Sequence, residues 1–185
     1  MGPNASNREF EIDWSLFVNL ELINAWTDDE ARESFQRCCG SRRWFEAMAR
    51  ARPFESEAAL IETAERIWWA LSTADWLEAF GAHPRIGDVD AIRARFATTA
   101  AWASREQAGA LGASEEVLQN LARGNRQYED RFGYIFIVCA SGKTAEEMLG
   151  LLMQRLGNDA DAEIKLAAGE QMKITRIRLE RIATS

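Results

Sequence analysis

Apolar residues along this chain recur at intervals of three and four, the spacing that gathers them on one face of an α-helix. After a polar start, Leu16, Leu20 and Ile23 open the first stripe. Thr27-Asp28-Asp29-Glu30 has the form of a capping box, which predicts a helix through Ala31, Phe35 and Cys38 that ends at Gly40. Ser41 is placed to cap a third helix carrying Trp44, Phe45 and Met48, halted before Pro53, and Ser56 begins a longer one with Leu60, Ala64, Ile67, Trp68 and Leu71 inward. A short helix from about Thr73 turns Trp76, Leu77 and Phe80 to the core and delivers the chain to His83. A further helical segment is predicted over 91–108, with Phe96, Trp102 and Glu106 on it. Ser114 caps the next, whose stripe reads Leu118, Leu121, Asn125, Tyr128 and Phe132. Thr144-Ala145-Glu146-Glu147 is a second capping box, opening a helix with Met148, Leu149, Leu152 and Leu156 that stops at Gly157-Asn158. The last helix runs over about 159–181, with Ile164, Ala167, Gln171, Ile174 and Arg178 along one face.

One stretch breaks this pattern. Tyr134-Ile135-Phe136-Ile137-Val138-Cys139 has strand character, yet nothing else in the chain supplies a sheet for it to join. Its N–H and C=O groups therefore need other partners, which makes it a candidate ligand shelf. Ser141-Gly142-Lys143-Thr144 behind it imitates the end of a phosphate-binding loop, but the glycine required five residues before Gly142 is Ile137. The absence of alternating strands and helices argues the same way against a nucleotide fold.

The whole pattern is all-α: a single helical bundle over residues 11–185 with one extended segment near 134–140, behind a flexible tail of residues 1–10. Composition agrees, with a hydrophobic fraction of 47% and only three prolines in 185 residues. A net charge of −7 works against binding to nucleic acid. Cys38, Cys39 and Cys139 form neither a disulfide framework nor a zinc pattern, so reduced thiols and a cytoplasmic location are expected. No apolar run approaches transmembrane length, no signal peptide opens the chain, and the terminal Ala183-Thr184-Ser185 is not a peroxisomal address. Met1-Gly2 with Ser6, and Asn4-Ala5-Ser6, match lipidation and glycosylation patterns too short to carry weight.

Three polar residues stand out. His83 is the sole histidine and sits where Pro84 stops a helix, a place suited either to a proton donor or to a helix-terminal imidazole with no chemistry. Asn125 occupies a core-facing position and must hydrogen-bond to backbone or to a ligand, a clamp on a nearby loop being the simpler reading. Arg178 shares a face with apolar residues, either as a snorkelling side chain, as the ion-pair partner of Glu170, or as a grip on an anion. A metal-free pocket in which His83, Glu106 and Arg178 converge on an anionic substrate would use the three in complementary roles, although spacing alone does not bring them together.

Taken in order, Arg52-Pro53-Phe54, Ala82-His83-Pro84-Arg85-Ile86-Gly87-Asp88, Glu106-Gln107-Ala108-Gly109, Asn125, Tyr128, Arg131-Phe132-Gly133, Phe136-Ile137-Val138-Cys139-Ala140 and Glu170, Ile174, Arg178-Leu179 resemble the signature of the 2-oxo-4-hydroxy-4-carboxy-5-ureidoimidazoline (OHCU) decarboxylases of urate breakdown. The resemblance implies an all-helical homodimer without cofactor or metal that forms (S)-allantoin. It implies His83 as the central catalytic residue, with Glu106 and Arg178 beside it. Pro84, the segment Ala103, Ser104, Arg105 and Gln107, and the backbone of Phe136, Ile137, Val138, Cys139 and Ala140 would line the substrate site. Where some relatives carry serine at the position of Ala103, this chain has its hydroxyl on Ser104, about 100° round a helix. The alternative class is a helical module that binds a protein partner, with His83 only ending a helix.

Overall fold

In a computed structural model, the fold is described over residues 18–83 and 114–184. The predicted tail and the predicted helix over 91–108 lie outside the described residues. Eight helices follow one another within them: α1 Val18–Ala25, α2 Asp28–Cys38, α3 Arg42–Arg50, α4 Glu57–Trp69, α5 Thr73–Gly81, α6 Glu115–Phe132, α7 Ala145–Arg155 and α8 Ala160–Thr184.

Their starts are written locally. Thr27 and Thr144 accept from the backbone of Glu30 and Glu147 while those carboxylates reach back to the cap residue, so both expected capping boxes form. Ser72 and Asp75 make a third at the start of α5. Gly133 adopts φ 78° and ends α6 in the left-handed region that favours glycine.

Three local expectations are corrected by packing. Ser41 takes the N-cap position of α3, but its hydroxyl makes no cap bond; instead Glu78 on α5 accepts from the Arg42 amide at 2.9 Å. Leu77, expected inward, is 40% exposed, because the buried face of α5 runs through Asp75, Ala79 and Phe80. Gly40 does not end α2 by a left-handed turn, since Cys39 closes it in extended conformation. Its role is spatial: a Cβ at Gly40 would come within 2.3 Å of the Ala82 Cβ.

The larger core lies between α1–α5 and α8, around Ile23, Phe35, Trp44, Leu60, Trp68, Phe80 and Leu179. Its indoles are not left wanting, for Trp44 Nε1 donates to the Ala64 carbonyl at 3.1 Å and Trp68 Nε1 to that of Ala168 at 3.0 Å. Arg52, next to the cis Arg52-Pro53 peptide, ties the end of α3 to the α1–α2 connection through Asp28 and the Trp26 carbonyl. A second core joins α6 to α7 through Leu118, Leu121, Tyr128, Met148 and Leu152.

The extended segment is the seam between the two. Side chains of an extended backbone alternate in direction, and here Ile135 and Ile137 enter the larger core while Phe136 and Val138 enter the smaller. Arg155 crosses the seam from α7. Its Nε donates to Glu163 Oε1 at 2.7 Å, its Nη1 to the Ile137 carbonyl at 2.8 Å, and its guanidinium carbon lies 4.6 Å from the Phe136 ring centre. Tyr128 donates to the same Glu163 oxygen and Asn158 Nδ2 to the other at 2.7 Å. Arg155 and Glu163 are buried with their hydrogen-bonding groups engaged, the condition under which such a pair is tolerated inside a protein.

Replacing Arg155 by Met leaves the Glu163 carboxylate without its countercharge. A loss of about 3–5 kcal/mol is expected in urea denaturation, with part recovered by combining Arg155→Met and Glu163→Leu. Additive losses in the double variant would refute coupling across the seam.

Candidate active site

His83 follows the last turn of α5, its backbone amide donating to the Phe80 carbonyl at 3.1 Å. The half-buried imidazole points to α8, where its Nε2 lies 2.6 Å from Gln171 Oε1. Seven residues further along the same helix, close to two full turns, Arg178 stands on the same face. Its Nη1 donates to the carbonyls of Cys38 at 3.1 Å and Arg37 at 3.4 Å. The cation thus meets the negative end of α2.

The corner at 38–40 links these two residues. Arg178 holds the Cys38 carbonyl, and Gly40 abuts Ala82 immediately before His83. His83 and Arg178 thus each have a tie to this corner, one through the neighbouring Ala82 and the other through the Cys38 carbonyl. The third residue expected beside them, Glu106, lies outside the described residues, as do Pro84, Ala103, Ser104, Arg105 and Gln107.

The extended segment comes to the same helix one position earlier. Glu170 Oε2 accepts from the Cys139 amide at 2.8 Å, and its other oxygen pairs with Lys173 at 2.5 Å. This excludes the reading of Glu170 as the partner of Arg178. Burial pushes the Glu170 carboxyl up, but the bonds from Lys173 and the Cys139 amide overcome it, and the net direction is down. The Cys139 carbonyl accepts from Lys143 Nζ at 2.9 Å, so the lysine of the loop-like Ser141–Thr144 run turns back on its own backbone. Of the shelf's backbone, Ile137 and Cys139 are thus held by side chains of α7, α8 and the following turn.

Other candidates resolve as structure. Asn125 Nδ2 donates to the Leu121 carbonyl of its own helix at 2.9 Å. The thiols of Cys38 and Cys39 are pushed up by burial, to about 11 and about 12, against the pull of the Arg178 guanidinium, and are no nucleophiles near neutral pH. Among the described residues, no group of three or more His, Cys, Asp or Glu is arranged to hold a metal. Sequence reasoning had put Gln171 on the core-facing stripe without giving it a partner. A buried amide in line with apolar residues was the available signal.

Comparison with known proteins identifies the architecture. The OHCU decarboxylase family matches residues 24–180, most of the chain. This chain belongs to the OHCU decarboxylase family. It is 40% identical over 153 residues to the uric acid degradation bifunctional protein TTL of Arabidopsis thaliana, of which it spans 46%. It is 32% identical to the 2-oxo-4-hydroxy-4-carboxy-5-ureidoimidazoline decarboxylase of Amia calva, covering 89% of this chain and 94% of that one. Its fold is similar, with a TM-score of 0.69 and 36% identity, to the crystal structure of an OHCU decarboxylase in the presence of (S)-allantoin, covering 86% of this chain and 100% of that one. An (S)-allantoin synthase structure at 18% identity and a TM-score of 0.66 shares the fold. The all-helical family architecture expected from the sequence is therefore the one observed.

Two consequences are measurable. Gly40→Ala forces the α2–α3 corner away from Ala82, with an expected loss of about 1–3 kcal/mol and displaced His83 ring resonances; unmoved resonances would show that the contact does not seat the histidine. The lowered Glu170 carboxyl contributes stability that is fully present above the ordinary value of about 4.3 and is lost as pH falls through its lower folded value. The Cys139 amide resonance should follow with a midpoint below the ordinary glutamate range, and a midpoint at or above it would contradict the clamp.

Proposed function

We propose that this chain decarboxylates 2-oxo-4-hydroxy-4-carboxy-5-ureidoimidazoline to (S)-allantoin in urate catabolism, as a carboxy-lyase that needs no cofactor. The observation that carries this reading is the seating of His83 against Gln171 of α8, the helix that also bears Arg178 two turns on, in a chain matched to the decarboxylase family over residues 24–180.

The substrate bears a carboxylate and a hydroxyl on one ring carbon, beside a C=N carbon that carries the ureido group. As the bond to the carboxylate breaks, its electron pair forms a carbon–carbon double bond and the C=N pair moves to nitrogen, which takes up a proton. The resulting enol gives up its hydroxyl proton as the ureido-bearing carbon gains one, on a single face, to leave (S)-allantoin. The substrate's own C=N group is the electron sink.

Arg178 anchors the anion in this reading, because a guanidinium with one nitrogen on the Cys38 carbonyl has further donors to offer. His83 moves the proton. Glu106 holds the hydroxyl or the ring polar atoms, while Pro84, Ala103, Ser104, Arg105 and Gln107 join the backbone of Phe136, Ile137, Val138, Cys139 and Ala140 in lining the site.

The same proposal takes residues 11–185 as the catalytic domain behind a flexible tail of residues 1–10, working as a cytoplasmic homodimer. Among the described residues no helix is long and apolar enough to cross a membrane.

The test generates the unstable substrate from urate in place and follows circular dichroism. Wild type is expected to give a rapid (S)-allantoin signal and His83→Ala to fold normally while losing most of the rate. Slow racemic product with both would overturn the reading in favour of a binding module. Arg178→Ala should raise KM by about ten- to a hundredfold, matching about 1.5–3 kcal/mol for a lost charged hydrogen bond; an unchanged KM in a destabilised variant would confine the residue to holding α2.

A further inference from the structure

Three charged side chains grip the extended segment along one edge, and what that grip does to the opposite edge follows from peptide geometry. Arg155 Nη1 donates to the Ile137 carbonyl at 2.8 Å, Glu170 Oε2 accepts from the Cys139 amide at 2.8 Å, and Lys143 Nζ donates to the Cys139 carbonyl at 2.9 Å. These bonds fall on three successive peptide groups, all trans. All three are charge-assisted, the stronger kind of hydrogen bond. The segment's side chains already alternate between the two cores, Ile137 in the larger and Val138 in the smaller, so the grip acts on a backbone edge lying between them.

In a trans peptide the N–H and the C=O point in opposite directions. Turning the Ile137 carbonyl to Arg155 sends Val138 N–H the other way, and turning the Cys139 amide to Glu170 does the same to Val138 C=O. Holding the Cys139 carbonyl on Lys143 likewise sends away Ala140 N–H. Alternate residues of an extended backbone share an edge, so the far edge reads donor, acceptor, donor over Val138 and Ala140. That order is complementary to a ring amide or urea, which offers a C=O beside an N–H. Glu170 is followed on α8 by Gln171, which receives His83, so one short stretch of helix sets both the segment and the imidazole.

We propose that Glu170, with Lys143, is a positioning residue for the decarboxylation: by fixing the two peptide groups of Cys139 it presents Val138 C=O and Ala140 N–H to the ring amide of the ureide. The proposal rests on the decarboxylase reading for its substrate, whereas the orientation of the peptides is a property of the free protein.

The test titrates (S)-allantoin into wild type, Glu170→Leu, Glu170→Gln, Lys143→Met and Lys173→Met while the backbone amide resonances are followed, with the rate of (S)-allantoin formation measured on each. In wild type the Val138 and Ala140 amide protons should move downfield on binding. Glu170→Leu removes the acceptor and should raise the Kd for (S)-allantoin and KM together by about tenfold with little change in kcat, the pattern of lost uniform binding. Glu170→Gln keeps an acceptor oxygen for the Cys139 amide and should restore most of that loss. Lys173→Met removes only the exposed ion pair of Glu170 and should stay close to wild type. Lys143→Met releases the Cys139 carbonyl, should raise the same two constants, and decides the matter should Glu170→Leu fail to fold. Unresponsive Val138 and Ala140 amides in wild type, constants within about twofold of wild type in the deciding variant, or a Glu170→Gln protein as impaired as Glu170→Leu would each overturn the proposal. Wild type that binds (S)-allantoin in this way, with the effect lost in Glu170→Leu, but forms none would leave the positioning role standing and remove the decarboxylase reading instead.

Discussion

The buried pair of Arg155 and Glu163 is the constraint on which the rest of the fold leans. An extended segment between two helical cores has no neighbouring strand to satisfy its backbone, and a bare carbonyl there would carry a desolvation cost of about 1–3 kcal/mol. Arg155 meets that need at Ile137, but a guanidinium inside a protein needs a countercharge of its own, which Glu163 supplies from α8. Tyr128 and Asn158 then take up the remaining carboxylate capacity. One unpaired peptide group has thereby drawn side chains from α6, α7, α8 and the α7–α8 connection into a single network. Removing any member strands the others, which is the physical reason such networks act as a unit.

With the seam held, α8 becomes the element against which the site is assembled. Glu170 anchors the end of the extended segment at Cys139, Gln171 receives the imidazole of His83, and Arg178 binds the last carbonyls of α2. These three partners come from widely separated parts of the chain and share only their attachment to one helix. A rigid helix fixes their spacing better than loops would.

Much of the helical order was legible locally. The Thr27–Glu30 and Thr144–Glu147 boxes, the cap at Ser114 and the stripes through Phe35, Leu60 and Leu152 concern contacts within a few residues, and they formed as read. Leu77 and Ser41 failed for reasons set by packing: the buried face of α5 runs through Asp75, Ala79 and Phe80 and leaves Leu77 outside, and Glu78 of α5 takes over the cap of α3. Gly40 failed more instructively, since a glycine near a helix end is normally explained by its own backbone, and this one answers to Ala82 across the fold.

The sequence by itself determined the all-helical class, an extended segment whose backbone groups need partners other than a sheet, and, through resemblance of its motifs, the family to which the chain belongs. Those features depend on periodicity, capping chemistry and residue identity, which are carried by neighbours along the chain. Only the tertiary structure decided that Glu170 clamps the extended segment rather than pairing with Arg178, that Arg178 caps α2, and that the histidine meets Gln171. Each of these choices is a competition among several polar partners for one donor or acceptor. Its outcome is set by which groups the packed helices leave within about 3 Å of each other, a distance that no spacing along the chain contains.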